Sequence, residues 1–152
     1  MVEIYDITYP VIRSYATYYF TTKYGMEYEV RFGRKEDDIL RVSIVFGVIN
    51  DEFDGEEYVV TNKGDVYSVM NTIVKIIEHY MEGHPAVYMY EFMGEPKAHE
   101  DDNKPTQRLK LYYRYAKRIW DEKKWKIVMK GNKVTIIRRD RLDSRLPKDV
   151  DI

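Results

Sequence analysis

Between Asp65 and Glu82 the apolar residues Val66, Val69, Met70, Ile73, Ile77, Tyr80 and Met81 recur at three- and four-residue spacing. That is the period of an α-helix with a single apolar stripe. Asp65 can accept hydrogen bonds from orphan N–H groups of the first turn, and Gly83 with Pro85 behind it stops the run. The spacing predicts a helix over 65–82, about 27 Å long. A helix with one apolar face must lay that face on something, and the segments around it read as strands.

Met26, Tyr28, Val30 and Phe32 alternate with Glu27, Glu29 and Arg31, the pattern of a strand with one buried face. Residues 15–20 pair with it across the turn TTKYG, in which Gly25 is the conformationally permissive residue. After the charged loop RKEDD, Leu40–Val48 reads as a third, better buried strand, followed by the acidic loop NDEFDGEE. Beyond the helix, Ala86–Phe92 is rich in β-formers. Pro105 suits the first turn of a second helix, PTQRLKLYYRYAKRIW. Its apolar stripe is Leu109, Tyr112, Ala116 and Ile119, with Trp120 beside it. Lys110, Arg114, Lys117 and Arg118 point away, with Tyr113 among them. Trp125–Met129 and Val134–Arg138 flank a Gly131-Asn132 turn and close the chain as a hairpin.

The predicted fold is therefore α+β, a mainly antiparallel sheet carrying two helices in the order β-β-β-α-β-α-β-β. The opening VEIYDITYP can add an edge strand. Residues 1–141 read as a single domain, and 142–152 as a charged tail that cannot build a core of its own.

Charge is unevenly spread. Residues 1–103 hold 20 Asp/Glu and 9 Lys/Arg, a balance of −11; residues 104–141 hold 14 Lys/Arg and 3 Asp/Glu, a balance of +11. Either the basic part has an anionic partner, or acidic and basic faces meet within the fold or between copies. Tyrosine is in excess, 15 residues against 5 Phe and 2 Trp, which fits half-exposed strands or a contact surface. There is no cysteine, hence no disulfide, thiolate metal site or thiol nucleophile. No apolar run approaches membrane-spanning length, and the first residues are acidic where a signal peptide is basic. A cytoplasmic chain with no membrane partner is expected.

The element order resembles the core of the GNAT-type N-acetyltransferases, over about residues 14–138. That family often has a Leu-Tyr pair in its last helix, with the tyrosine as general acid, and Leu111-Tyr112 is similar. The resemblance implies acetyl-coenzyme A as cofactor, Tyr112 as catalytic acid, and Lys63 and Gly64 beside the pyrophosphate. The family's glycine-rich pyrophosphate loop is replaced here by TNKGD, with one glycine and the anionic Asp65 where phosphate would lie. On this reading no cofactor is expected. The run TNKGDVYSVMNTIVKIIEHY with RLKLYYRYAKR is also similar to small tailed-phage proteins of no assigned activity. That implies a phage origin, with the host cytoplasm or the virion as location.

Three functions follow as expectations. The first is a non-catalytic binding or assembly protein that contacts protein partners or its own copies through tyrosine-rich and oppositely charged surfaces. The second is an N-acyltransferase with an altered cofactor loop. The third is a nucleic-acid-binding domain using 104–141, with Arg108, Arg114, Lys117, Arg118, Lys126 and Lys130 as anion contacts and Tyr113 free to stack a base. His79, His84 and His99 are scattered and give no metal-ligand pattern. The acidic run around His99 reads as a polar loop.

Overall fold

The computed structural model describes residues 4–10, 16–49, 65–93 and 107–142. Its elements are β1 (Thr17–Thr21), β2 (Glu27–Lys35), β3 (Asp38–Val48), α1 (Asp65–Gly83), β4 (Met89–Met93), α2 (Gln107–Ile119), β5 (Trp125–Lys130) and β6 (Lys133–Arg138). The six strands form one sheet in the order β1-β2-β3-β4-β6-β5. β3 and β4 run parallel, as strands joined through a helix do, and β1–β2, β4–β6 and β5–β6 are antiparallel. The α+β class and the element order are those the sequence predicts. No helix among the described residues is long and apolar enough to cross a membrane.

The chain divides into two compact units, one of residues 1–32 and 45–85, the other of 33–44 and 86–152. In the first unit the β1–β2 hairpin buries Tyr18, Phe20, Tyr28, Val30 and Phe32. Its turn depends on Gly25 at φ 80°, and the Thr22 hydroxyl accepts the N–H groups of Tyr24 and Met26 at 3.2 Å each. α1 buries Val69, Met70, Ile73, Ile76, Ile77 and Tyr80. Each fully buried aliphatic of this kind contributes about 1.5–3 kcal/mol. Val66 and Met81, placed on the stripe from sequence, are only half-buried, whereas Ile76 and Thr72 are fully buried. Thr72 is used: its hydroxyl donates to the Ser68 carbonyl at 2.8 Å and accepts the Tyr5 N–H at 2.9 Å. The opening segment is thus tied to α1, and it meets β1 through a single antiparallel bridge between Thr8 and Tyr19.

In the second unit α2 buries Leu109, Tyr115 and Ala116, and Trp120 follows it at 0% exposure. Trp120 packs against Tyr90 and Phe92 of β4. The β5–β6 hairpin turns at Gly131, φ 59°. The charged run RKEDD is shorter as a loop than its composition suggests, because only Glu36 and Asp37 lie between β2 and β3. Asp38 is anchored: its carboxylate accepts the Leu40 N–H at 3.2 Å and the Tyr88 hydroxyl at 2.6 Å. Leu142, assigned to the tail from sequence, packs with Leu40 against Tyr88, Met89 and Ile137.

Candidate functional site

Cross-strand register decides what the second unit presents. Residues paired across a sheet share a face, and alternate residues along a strand share it too. Arg41 pairs with Met89 and Ser43 with Glu91; Met89 pairs with Ile137 and Glu91 with Thr135; Lys130 pairs with Lys133 and Lys126 with Ile137. One face therefore carries Arg41, Ser43, Glu91, Lys133, Lys126 and Lys130. The other carries Tyr90 and Phe92, and α2 with Trp120 packs on that side.

On the cation-bearing face lies a cleft of about 300 Å³ lined by Arg34, Lys35, Arg41, Ser43, Glu91 and Lys133. Four cations meet one carboxylate there. Arg41 is only 7% exposed. The Lys133 ammonium reaches Glu91 at 3.7 Å, a loose ion pair. Gly33 also lines the cleft and lets β2 and β3 approach closely: a Cβ there would stand 3.2 Å from Ser43 Oγ. The Ser43 hydroxyl donates to the Gly33 carbonyl at 3.3 Å. Burial and the hydrogen bond to Asp38 push the Tyr88 hydroxyl up to about 12, against the opposing pull of Arg41 and Arg141. The Arg141 guanidinium lies 3.8 Å over the Tyr88 ring.

The first unit has its own polar cluster. The Tyr18 hydroxyl and His79 Nδ1 are hydrogen-bonded at 2.8 Å, and the Tyr9 ring packs on His79 at 4.5 Å. Burial, then the neighbouring phenols Tyr80 and Tyr9, hold the Tyr18 hydroxyl up at about 12, so it remains a phenol at neutral pH. Tyr80 stacks between Phe32 and His84, at 4.0 and 3.9 Å. The His84 Nδ1–H donates to the Tyr80 carbonyl at 2.8 Å. Among the described residues no group of His, Asp or Glu has the arrangement of a metal site.

The residues singled out from sequence are placed unequally. Tyr112 is half-buried on α2 with its ring 5.8 Å from Phe92. Arg114, Lys117 and Arg118 are exposed on α2, on the side of the sheet opposite Lys126 and Lys130, so helix and hairpin cations do not form one surface. Tyr113 is half-buried, and Lys117 covers its ring at 4.6 Å. Trp125 packs toward Tyr90 at 6.0 Å. The backbone of Arg108 is helical. Lys63, Gly64 and the acidic run at His99 lie outside the described residues. Arg41, Lys35, Ser43 and Lys133 went unread in the sequence. The signal was there in LRVSIVF, where polar Arg41 and Ser43 alternate with Val42 and Ile44.

Compared with family models, curated proteins and solved structures, the chain matches none.

Proposed function

We propose that this is a non-catalytic binding protein that contacts an acidic protein surface, on a partner or on another copy of itself. The contact is made by the face carrying Arg41, Lys126, Lys130 and Lys133. That shared face is the observation on which the reading rests. Nucleic-acid binding is less well supported, because the rings that would stack bases are engaged: Trp125 with Tyr90, Tyr113 under Lys117. Residues 1–103, at −11, make a second copy a suitable partner. Opposite patches on one chain favour head-to-tail contacts, which close into rings or extend into larger assemblies. A phage-encoded assembly component, as the sequence resemblance implies, belongs to the same proposal.

Sedimentation velocity across protein concentration and salt tests it. Association at low salt that weakens as salt rises, and is lost in Lys126→Glu/Lys130→Glu, is expected. A chain that stays monomeric at every salt while binding a single-stranded oligonucleotide would replace it with the nucleic-acid reading. Clear thermal stabilisation by acetyl-coenzyme A would replace it with the acyltransferase.

A further inference from the structure

We propose that the outer edge of β5 takes an extended acidic segment of a partner protein, added to the sheet as a further strand. The inference rests on the contact reading above and names how one part of that face is used. β5 ends the strand order, so one of its sides has no neighbouring strand among the described residues. The strand at the other end, β1, is closed at its centre, where Tyr19 exchanges two main-chain bonds with Thr8 at 2.7 and 3.1 Å.

The hairpin decides which groups of β5 face outward. Bonded and non-bonded pairs alternate along an antiparallel ladder. The tight turn at Gly131 makes Lys130–Lys133 a bonded pair, and at the far end the Arg139 N–H donates to the Lys124 carbonyl at 2.8 Å. Lys126 and Val128 therefore direct their main-chain groups to β6, and Ile127 and Met129 turn theirs outward. Neither Ile127 nor Met129 bonds a described residue on that side. The Trp125 N–H is held by the Asp121 carbonyl at 2.9 Å, so the open run begins at Ile127. Ile127, Val128 and Met129 are each half-buried. An added strand would cover their remaining apolar area as well as pair with the main chain.

Lys126 selects the partner's chemistry. It is half-buried on the cation-bearing face, and its side chain makes no ion pair or hydrogen bond with a described residue. A carboxylate on the strand alongside would form a cross-strand pair with it. β5 itself, WKIVMK, has no carboxylate, and neither has β1, TYYFT. A second copy therefore brings no acid to Lys126 through either edge strand, and a lysine on an edge opposes pairing with its own kind. An extended segment with acids at alternate positions supplies both the main-chain partners and the opposite charge.

Amide hydrogen exchange of the full chain, read by NMR with and without a synthetic peptide in which glutamate alternates with threonine, tests this. In the free chain the amides of Lys126 and Val128 should exchange slowly and those of Ile127 and Met129 fast. Saturating peptide should slow Ile127 and Met129 by at least about tenfold. N-methylation of one alternate set of peptide amides should abolish binding, and of the other set should not. Met129→Pro removes an outward donor at an edge position that tolerates proline, and should also abolish it. Should that variant fail to fold, the methylated peptides make the same test on the unaltered chain. Lys126→Glu keeps every main-chain donor and should weaken binding about fivefold. Slow exchange at Ile127 and Met129 in the free chain would overturn the proposal, because the edge would already be occupied. Binding with no change at Ile127 and Met129, or indifferent to both methylated sets, would overturn strand addition and leave the acidic-surface reading standing. No binding while salt-sensitive association survives would likewise remove this inference alone. Equal protection by a peptide carrying lysine in place of glutamate would overturn both, because the contact would then not select acid.

Discussion

The two units use their polar side chains in opposite ways. In the first, several tyrosine and histidine groups bond within the unit: Tyr5 donates to the Asp65 carboxylate, Tyr18 bonds His79, and His84 bonds the Tyr80 carbonyl. In the second, Arg41, Lys126, Lys130 and Lys133 are gathered on one sheet face with Glu91 as the carboxylate among them. A polar group satisfied inside its own unit stabilises the fold, whereas cations gathered on one face set up a field that attracts an acidic surface. Much of the tyrosine surplus therefore serves folding, whereas in the function proposed above the strand cations serve binding. Composition suggests the reverse emphasis. Tyr5, Tyr18, Tyr28, Tyr80, Tyr88, Tyr90 and Tyr115 are all buried, whereas Tyr9, Tyr19, Tyr24 and Tyr67 are exposed.

The contrast breaks most readily at the core of the second unit. Trp120 is fully buried between α2 and β4, and its indole N–H meets no hydrogen-bond acceptor among the described residues. Its contribution is therefore packing. Trp120→Ala is expected to cost about 3–5 kcal/mol, through lost contacts and the cavity left behind. Urea unfolding followed by far-UV circular dichroism checks it. A cost near that of an exposed residue would mean that this unit is not held by the α2–β4 interface.

The first unit is tested at Tyr5. Tyr5→Phe keeps the ring, stacked 6.2 Å from Phe20, and removes only the hydroxyl that bonds Asp65. Asp65 is 7% exposed, so the loss leaves a buried carboxylate short of a donor. The expected cost is about 1–3 kcal/mol, smaller than for Trp120. Urea midpoints of Tyr5→Phe and Asp65→Asn, alone and combined, measure the coupling. Additive effects would show that the pair does not act as a unit.

These sites also show what could be read from the chain. Period identified the elements: alternation in MEYEVRF and the three–four spacing after Asp65 each have one physical solution, and β2 and α1 are where they point. What failed was pairing at a distance. Tyr5 and Asp65 are 60 residues apart, and no local pattern joins them. The cleft draws on β2, β3, β4 and β6, and its charge appears only when register puts Arg41 beside Met89 and Lys133 near Glu91. The basic run in α2 stood out because its residues are neighbours in sequence, yet helix geometry turns them to the side away from the hairpin lysines. Local charge density marked α2, while the concentrated charge is assembled from strands.

Alkaline pH gives the finest comparison, with one tyrosine from each unit. Tyr18 and Tyr88 both have hydroxyls raised from the ordinary 10.0 to about 12, in each case chiefly by burial. The lesser causes differ: neighbouring phenols for Tyr18, the bond to Asp38 for Tyr88, the latter partly opposed by Arg41 and Arg141. Below about pH 10 both hydroxyls are protonated whether the chain is folded or not, so they add no pH dependence. Between about 10 and 12 the unfolded chain releases protons that the folded chain keeps, so unfolding is favoured and stability falls as pH rises. Urea midpoints should therefore be flat to about pH 9.5 and decline above it, with phenolate absorbance lagging that of the unfolded chain. Tyr18→Phe and Tyr88→Phe should each flatten part of that decline. Tyr88→Phe should also weaken the protein at neutral pH, because Asp38 loses its 2.6 Å donor. If raising salt steepens the Tyr88 share and leaves the Tyr18 share unchanged, the arginines are opposing the shift in the second unit, because screening removes their pull. Equal salt responses would mean that burial alone sets both, and the electrostatic contrast between the units would not extend to their tyrosines.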